Sequence, residues 1–149
     1  VSSNTLVQMQ TRYTNNIRNR GSYGLILLGG INDILAGTTG VNAFTTWDAI
    51  VTDALSVGMK VIGCTPTPFG TYGSWTAPLQ AELGVLNAAI MARTPNSSLR
   101  LVDTYGLFGQ PGTPVNLNPM YADPDGLHWN TAGCAYMATL MAPEIVALA

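Results

Sequence analysis

Three short apolar runs, at 23–28, 60–65 and 99–103, do most to decide what this chain can fold into. Runs of this length, closed by glycine, proline or aspartate, suit strands buried on both faces of a parallel sheet. Between them the apolar residues fall at helical spacing. Leu6, Met9, Tyr13 and Ile17 mark a helix over 5–17, and Arg18, Arg20 and Gly21 follow as stop signals. Phe44, Trp47, Ile50, Val51, Ala54 and Leu55 mark a second, with Asn42 as its candidate cap. Leu79, Leu83, Leu86 and Ile90 share one face of a third over 78–93, with Pro78 in its first turn. A last helix is capped by Asn130 or Thr131 and runs to Ala149, with a kink expected near Pro143.

Strands alternating with helices predict one α/β domain over 1–149, a three-layer α/β/α sandwich around a parallel sheet. Ligands of such sheets bind beyond the carboxyl ends of the strands. At that end lie Gly29-Gly30-Ile31-Asn32-Asp33, an aromatic loop over 66–75, and a long loop over 104–124 that leads to the histidine segment.

Composition removes several functions. Only 9% of the 149 residues are charged, Lys60 is the sole lysine and the net charge is −2. No basic stripe exists to neutralise phosphates, so nucleic acid is excluded as a partner. The apolar runs fall far short of the roughly 20 residues that a spanning helix needs, so no membrane span is expected. Cys64 and Cys134 are too few and too far apart for a metal site or a disulfide framework. They read as two buried thiols, with a single disulfide left open. Sparse lysine and abundant threonine, asparagine and glycine have the flavour of a secreted, extracellular protein. The first residue is Val1, without a methionine or a visible signal peptide, which suggests a removed or further upstream stretch.

His128 is the one histidine. Pro124 and Gly126 argue against a helix around it, so Asp125 and His128 share a tight loop in which the carboxylate can fold back onto a ring nitrogen. A histidine held in this way suits nucleophilic acyl transfer, taking a proton from a hydroxyl and returning it to the leaving group. Alone, the same spacing also fits a loop turn with a surface histidine. Acyl transfer further needs a donor aimed at the oxygen that becomes negative. Asn32 is a candidate, and Gly29 and Gly30 leave room for a substrate beside it. An isolated Asn-Asp is equally a turn or a cap. As a nucleotide loop the segment fails, lacking both the G-x-G-x-x-G pattern and a phosphate-binding lysine.

Together these residues resemble a known family. Leu28-Gly29-Gly30-Ile31-Asn32-Asp33 resembles the G-x-N-D block, and Asp125-Gly126-Leu127-His128-Trp129-Asn130-Thr131-Ala132-Gly133 the D-G-x-H-x-N block, of the SGNH (GDSL-type) esterases and lipases. Val1-Ser2-Ser3-Asn4-Thr5 is similar to that family's second block, S-G-x-T. The resemblance implies a flavodoxin-like SGNH hydrolase fold and a small-molecule acyl ester as substrate, with no metal or organic cofactor. It makes His128 the general base, Asp125 its orienting carboxylate and Asn32 the side-chain donor of an oxyanion hole. Ser3 falls on the family's oxyanion glycine, where its N–H is still available but any positive φ would cost energy. Gly30 would border the substrate, and Trp129, where proline is frequent, would form a wall of the pocket.

One block is absent. No Gly-Asp-Ser occurs, so the chain carries a base and a hole without the serine nucleophile. Gly21-Ser22 and Gly73-Ser74 lack the strand before and the helix after that the block requires. In the family the missing part supplies two strands and a helix, and the serine is expected on such an N-terminal segment. Without it, 23–28 should present an open apolar edge, and Leu6, Met9 and Tyr13 should lack part of their partner layer. The rivals are a non-catalytic module that binds a carbohydrate, lipid or protein, and a flavodoxin-type nucleotide-binding domain, which the missing phosphate loop opposes.

Overall fold

The computed structural model describes residues 3–149. In order, the elements are α1 (Leu6–Asn16), β1 (Gly24–Leu28), α2 (Ile31–Leu35), α3 (Gly40–Ser56), β2 (Lys60–Cys64), α4 (Ala77–Met91), β3 (Leu99–Val102), α5 (Thr104–Phe108), β4 (Gly109–Gln110), β5 (Thr113–Leu117) and α6 (Thr131–Leu148).

The central sheet is parallel and ordered β1-β2-β3, in register from Gly24 opposite Lys60 and from Val61 opposite Leu99. Its pleat sorts the apolar side chains by parity. Leu25, Leu27, Val61, Leu99 and Leu101 join the core built with α1, α3 and α4, which includes Trp47, Phe69, Leu83, Leu86 and Ile90. Leu28, Ile62, Cys64 and Val102 face the other way, against Met137, Leu140, Met141 and Leu148 of α6. The result is the three-layer α/β/α architecture that the alternation predicts. Gly63 lets the layers meet closely, since a Cβ there would lie 2.5 Å from the Trp47 ring.

Several local expectations are corrected. The cap of α3 is Thr39, whose hydroxyl accepts from the Asn42 N–H at 3.3 Å, rather than Asn42 itself. Segment 29–33 is only partly a loop, because α2 starts at Ile31. The stretch 104–124 contains α5 and an antiparallel hairpin of β4 and β5 that turns at Pro111-Gly112, where Gly112 has φ +83°. Asn130 caps α6, which runs through Pro143. At 18 residues α6 is long and apolar enough to cross a membrane by length and composition, which the apolar runs did not suggest; here it forms a layer of the domain. Cys64 is buried, and burial pushes its thiol up to about 12. Cys134 is exposed and unpaired, so the reading of two buried thiols fails for it.

Leu6 and Tyr13 are 0% and 3% exposed, so the expectation that they lack part of their partner layer fails for them, while Met9 is only half-buried. Asp53 of α3 secures that helix, accepting from the Tyr13 hydroxyl at 2.9 Å and from Arg18 at 2.6 Å. The open apolar edge does exist: β1 pairs only with β2 among the described residues, and Tyr23 and Ile26 are 62% and 47% exposed. A groove of about 230 Å³ lies there, bordered by Tyr23, Ile26, Ile62, Ile145 and Leu148.

Candidate active site

Beyond the carboxyl ends of the strands a cleft of about 470 Å³ opens between two walls. One wall begins where β1 ends. Gly30 caps α2 with φ +115°, and a Cβ there would lie 2.6 Å from Leu86, so the backbone approaches α4 as only glycine permits. This sharp turn presents Asn32 in the first turn of α2, with its amide nitrogen donating to the Asn4 carbonyl at 3.0 Å. One amide hydrogen is used there and the second remains for another acceptor. Asp33 points into the core, 4% exposed, where its carboxylate accepts the Leu6 N–H at 2.9 Å. Burial raises its pKa against that hydrogen bond. The two neighbours thus divide the work: Asp33 ties α2 to the start of α1, and Asn32 faces the cleft.

The other wall is the histidine loop. Gly126, at φ +74°, is buried against Thr71, where a Cβ would lie 2.9 Å from the Thr71 backbone carbon. This packs the turn onto the loop that follows β2. Asp125 Oδ1 accepts from the N–H groups of Leu127 and His128 at 2.9 and 3.0 Å, while Oδ2 meets His128 Nδ1 at 2.5 Å. The imidazole contact, followed by the two backbone donors, lowers the Asp125 pKa to about 2. With the carboxylate on Nδ1, the proton of the neutral ring belongs there and Nε2 is left basic. The His128 side chain is 64% exposed, and no hydroxyl meets it among the described residues.

The segment before the loop braces it. The Asp123 N–H donates to the His128 carbonyl at 2.8 Å, and Asn130 Nδ2 donates to the Met120 and Ala122 carbonyls at 3.1 Å. Trp129 stacks on the fully buried Phe108 with centroids 4.8 Å apart.

Of the residues singled out in the sequence, Ser3, Gly30, Asn32, His128 and Trp129 all line this cleft, and Asp125 stands behind His128. Ser3 has φ +63°, the one non-glycine in the left-handed region among the described residues. The strain expected of a serine at a glycine position is therefore present. Ser22 and Ser74 are exposed and do not line the cleft, and Ser2 lies outside the described residues. Sequence reading missed Asn4, Met9, Arg12, Thr67 and Cys134, which also border it. In the sequence Asn4 stands only as part of the second block and Met9 only as part of the apolar face of α1, and nothing there marks Arg12, Thr67 or Cys134 as cleft residues.

Residues 1–136 match the GDSL-like lipase/acylhydrolase family. The chain belongs to that family. A search of curated proteins found no match. Among solved structures, a putative acylhydrolase from Bacteroides fragilis superposes with a TM-score of 0.84 at 25% identity, over 96% of this chain and 70% of that one. A GDSL-like lipase from Bacteroides thetaiotaomicron gives 0.79 at 20% identity, over 97% and 72%. A lipase/acylhydrolase from Enterococcus faecalis gives 0.71 at 19%, over 96% and 71%. The last two likenesses speak to fold alone, and membership of the family supports an ester hydrolase in general terms.

Proposed function

We propose that this chain carries the base and the oxyanion hole of a serine esterase that acts on small-molecule acyl esters. The observation that carries the reading is the Asp125–His128 pair, held at 2.5 Å on one wall of a cleft whose other wall presents Asn32. Asp125 fixes the ring and stabilises the imidazolium. His128 Nε2 takes the proton of a serine hydroxyl as that oxygen attacks the ester carbonyl, then gives it to the departing alkoxide. The second Asn32 amide hydrogen and the Ser3 N–H hold the developing oxyanion, a contribution worth on the order of a hundredfold or more in rate per donor. Water, deprotonated by the same ring, then releases the acid.

In this reading the serine belongs to a polypeptide segment upstream of Val1, secreted with the rest of the chain. Support comes from the absence of Gly-Asp-Ser and from the unpaired, apolar edge of β1, which could receive another strand. The rival reading, a binding module on the same fold, draws on the lack of a hydroxyl partner for His128 among the described residues.

The test is intact-mass analysis of the full polypeptide with a fluorophosphonate, together with hydrolysis of 4-nitrophenyl acetate. A covalent adduct upstream of Val1, and a rate falling roughly a thousandfold or more in His128→Ala, are the expected results. No adduct and no His128-dependent hydrolysis would leave the binding module.

A further inference from the structure

We infer that Arg12 makes the cleft selective for esters bearing an anionic group, such as a free carboxylate, on the part of the substrate that lies over α1. The inference rests on the esterase reading above for its substrate class and on the charge layout for its selectivity. Among the described residues Arg18, Arg93 and Arg100 each pair with a carboxylate, of Asp53, Asp48 and Glu144 respectively. Arg12 does not. Its sole partner is neutral, the Asn4 side-chain oxygen, which accepts from Nη1 at 2.7 Å. Arg20 also lacks an acidic partner, but it is exposed and away from the cleft.

Among the described residues no aspartate or glutamate lines the cleft, so none of them neutralises the guanidinium charge there. Arg12 is half-buried, which weakens solvent screening of that charge. Among the described residues it is anchored through Nη1 alone, which leaves Nε and Nη2, the fork that takes a carboxylate or phosphate in bidentate fashion. Asn4 sets its position. The Asn4 amide donates to Gln8 Oε1 at 3.1 Å, Gln8 Oε1 also accepts from the Thr5 N–H, and the Asn4 carbonyl receives Asn32. The anion-holding fork and the oxyanion donor are thus fixed to one residue, at a set separation. Met9, Leu28, Ile31 and Leu127 supply apolar lining to the same cleft.

The experiment compares kcat/KM of the full polypeptide for two matched pairs at low salt. Mono-4-nitrophenyl glutarate against 4-nitrophenyl valerate places the charge on the acyl side; 3-acetoxybenzoate against phenyl acetate places it on the alcohol side. At least one charged member should be preferred roughly tenfold or more. That preference should vanish in Arg12→Gln, persist in part in Arg12→Lys and shrink as salt is added. Equal treatment of both members by the unaltered protein, or an equal loss for both in Arg12→Gln, would overturn the inference. If no ester is cleaved, the esterase reading fails on its own and glutarate binding, measured by calorimetry, decides instead. Arg12-dependent binding, absent for valeramide, would uphold the anion site, and no binding would sink it.

Discussion

The two walls of the cleft are held in place by different physics. On the α2 wall, Gly30, Asp33 and Ile34 are buried in the main core, locked by contacts with α1 and α4. On the histidine wall, Asp125 and His128 are exposed, and their geometry comes mainly from hydrogen bonds within a dozen residues, with the aromatic cluster around Phe108 and the packing of Gly126 on Thr71 as the links to the rest of the domain. The first wall borrows the stability of the whole domain, whereas the second depends more on its own short-range bonds. Damage to the first should unfold the protein and silence it together; damage to the second should silence a folded protein.

The largest test is Ile34→Ala. Ile34 is fully buried, so its truncation should cost about 2–5 kcal/mol in a denaturant titration, with activity falling only as folded protein is lost. A cost under about 1 kcal/mol would erase the distinction. Trp129→Ala should be milder on stability. Losing the stack on Phe108 is worth about 0.5–1.5 kcal/mol beyond area burial, and kcat should fall disproportionately as the His128 loop loosens. A loss of activity that merely follows the folded fraction would place both walls in one class.

The subtlest test is the titration of the two aspartates by carboxyl carbon NMR. Desolvation raises Asp33, so its midpoint should lie above the ordinary carboxylate range, and its ionisation subtracts stability as pH rises through that midpoint. Asp125, held by His128, should titrate near 2. Its contribution is present in full above the unfolded value near 3.8 and is lost as pH falls toward 2. Midpoints in the same direction would contradict the contrast.

Most of the frame was legible in the residues, because the three central strands and four long helices each carry a period or a bounded apolar run. What escaped was too short to have one. Five-residue α2 begins immediately after Gly29-Gly30, and its helical start depends on an unusual Gly30 conformation together with tertiary contacts. The β4–β5 hairpin hid among breakers, although Pro111-Gly112 is itself the signature of a two-residue turn with a positive φ at its second position. In the cleft, Asn32, Asp125 and His128 could be found because their chemistry sits in compact blocks. Arg12 could not, since its meaning comes from the carboxylate it lacks, and partners are visible only in three dimensions. Cys134 was misjudged for a related reason: a cysteine tends to be buried, and only the docking of α6 decides which side of the helix faces out.

Asn130 ties the histidine wall together from within. Its one side chain donates to the Met120 and Ala122 carbonyls and accepts from the Gly133 N–H, so it closes the segment from Met120 to Gly133 upon itself. Such a closure spans few residues and costs little chain entropy. The histidine wall is therefore expected to open as a local unit, its amide protons exchanging with solvent sooner than those of β2 in a hydrogen-exchange measurement. An opening of that segment would carry His128 away from the cleft while the sheet beneath it stays folded.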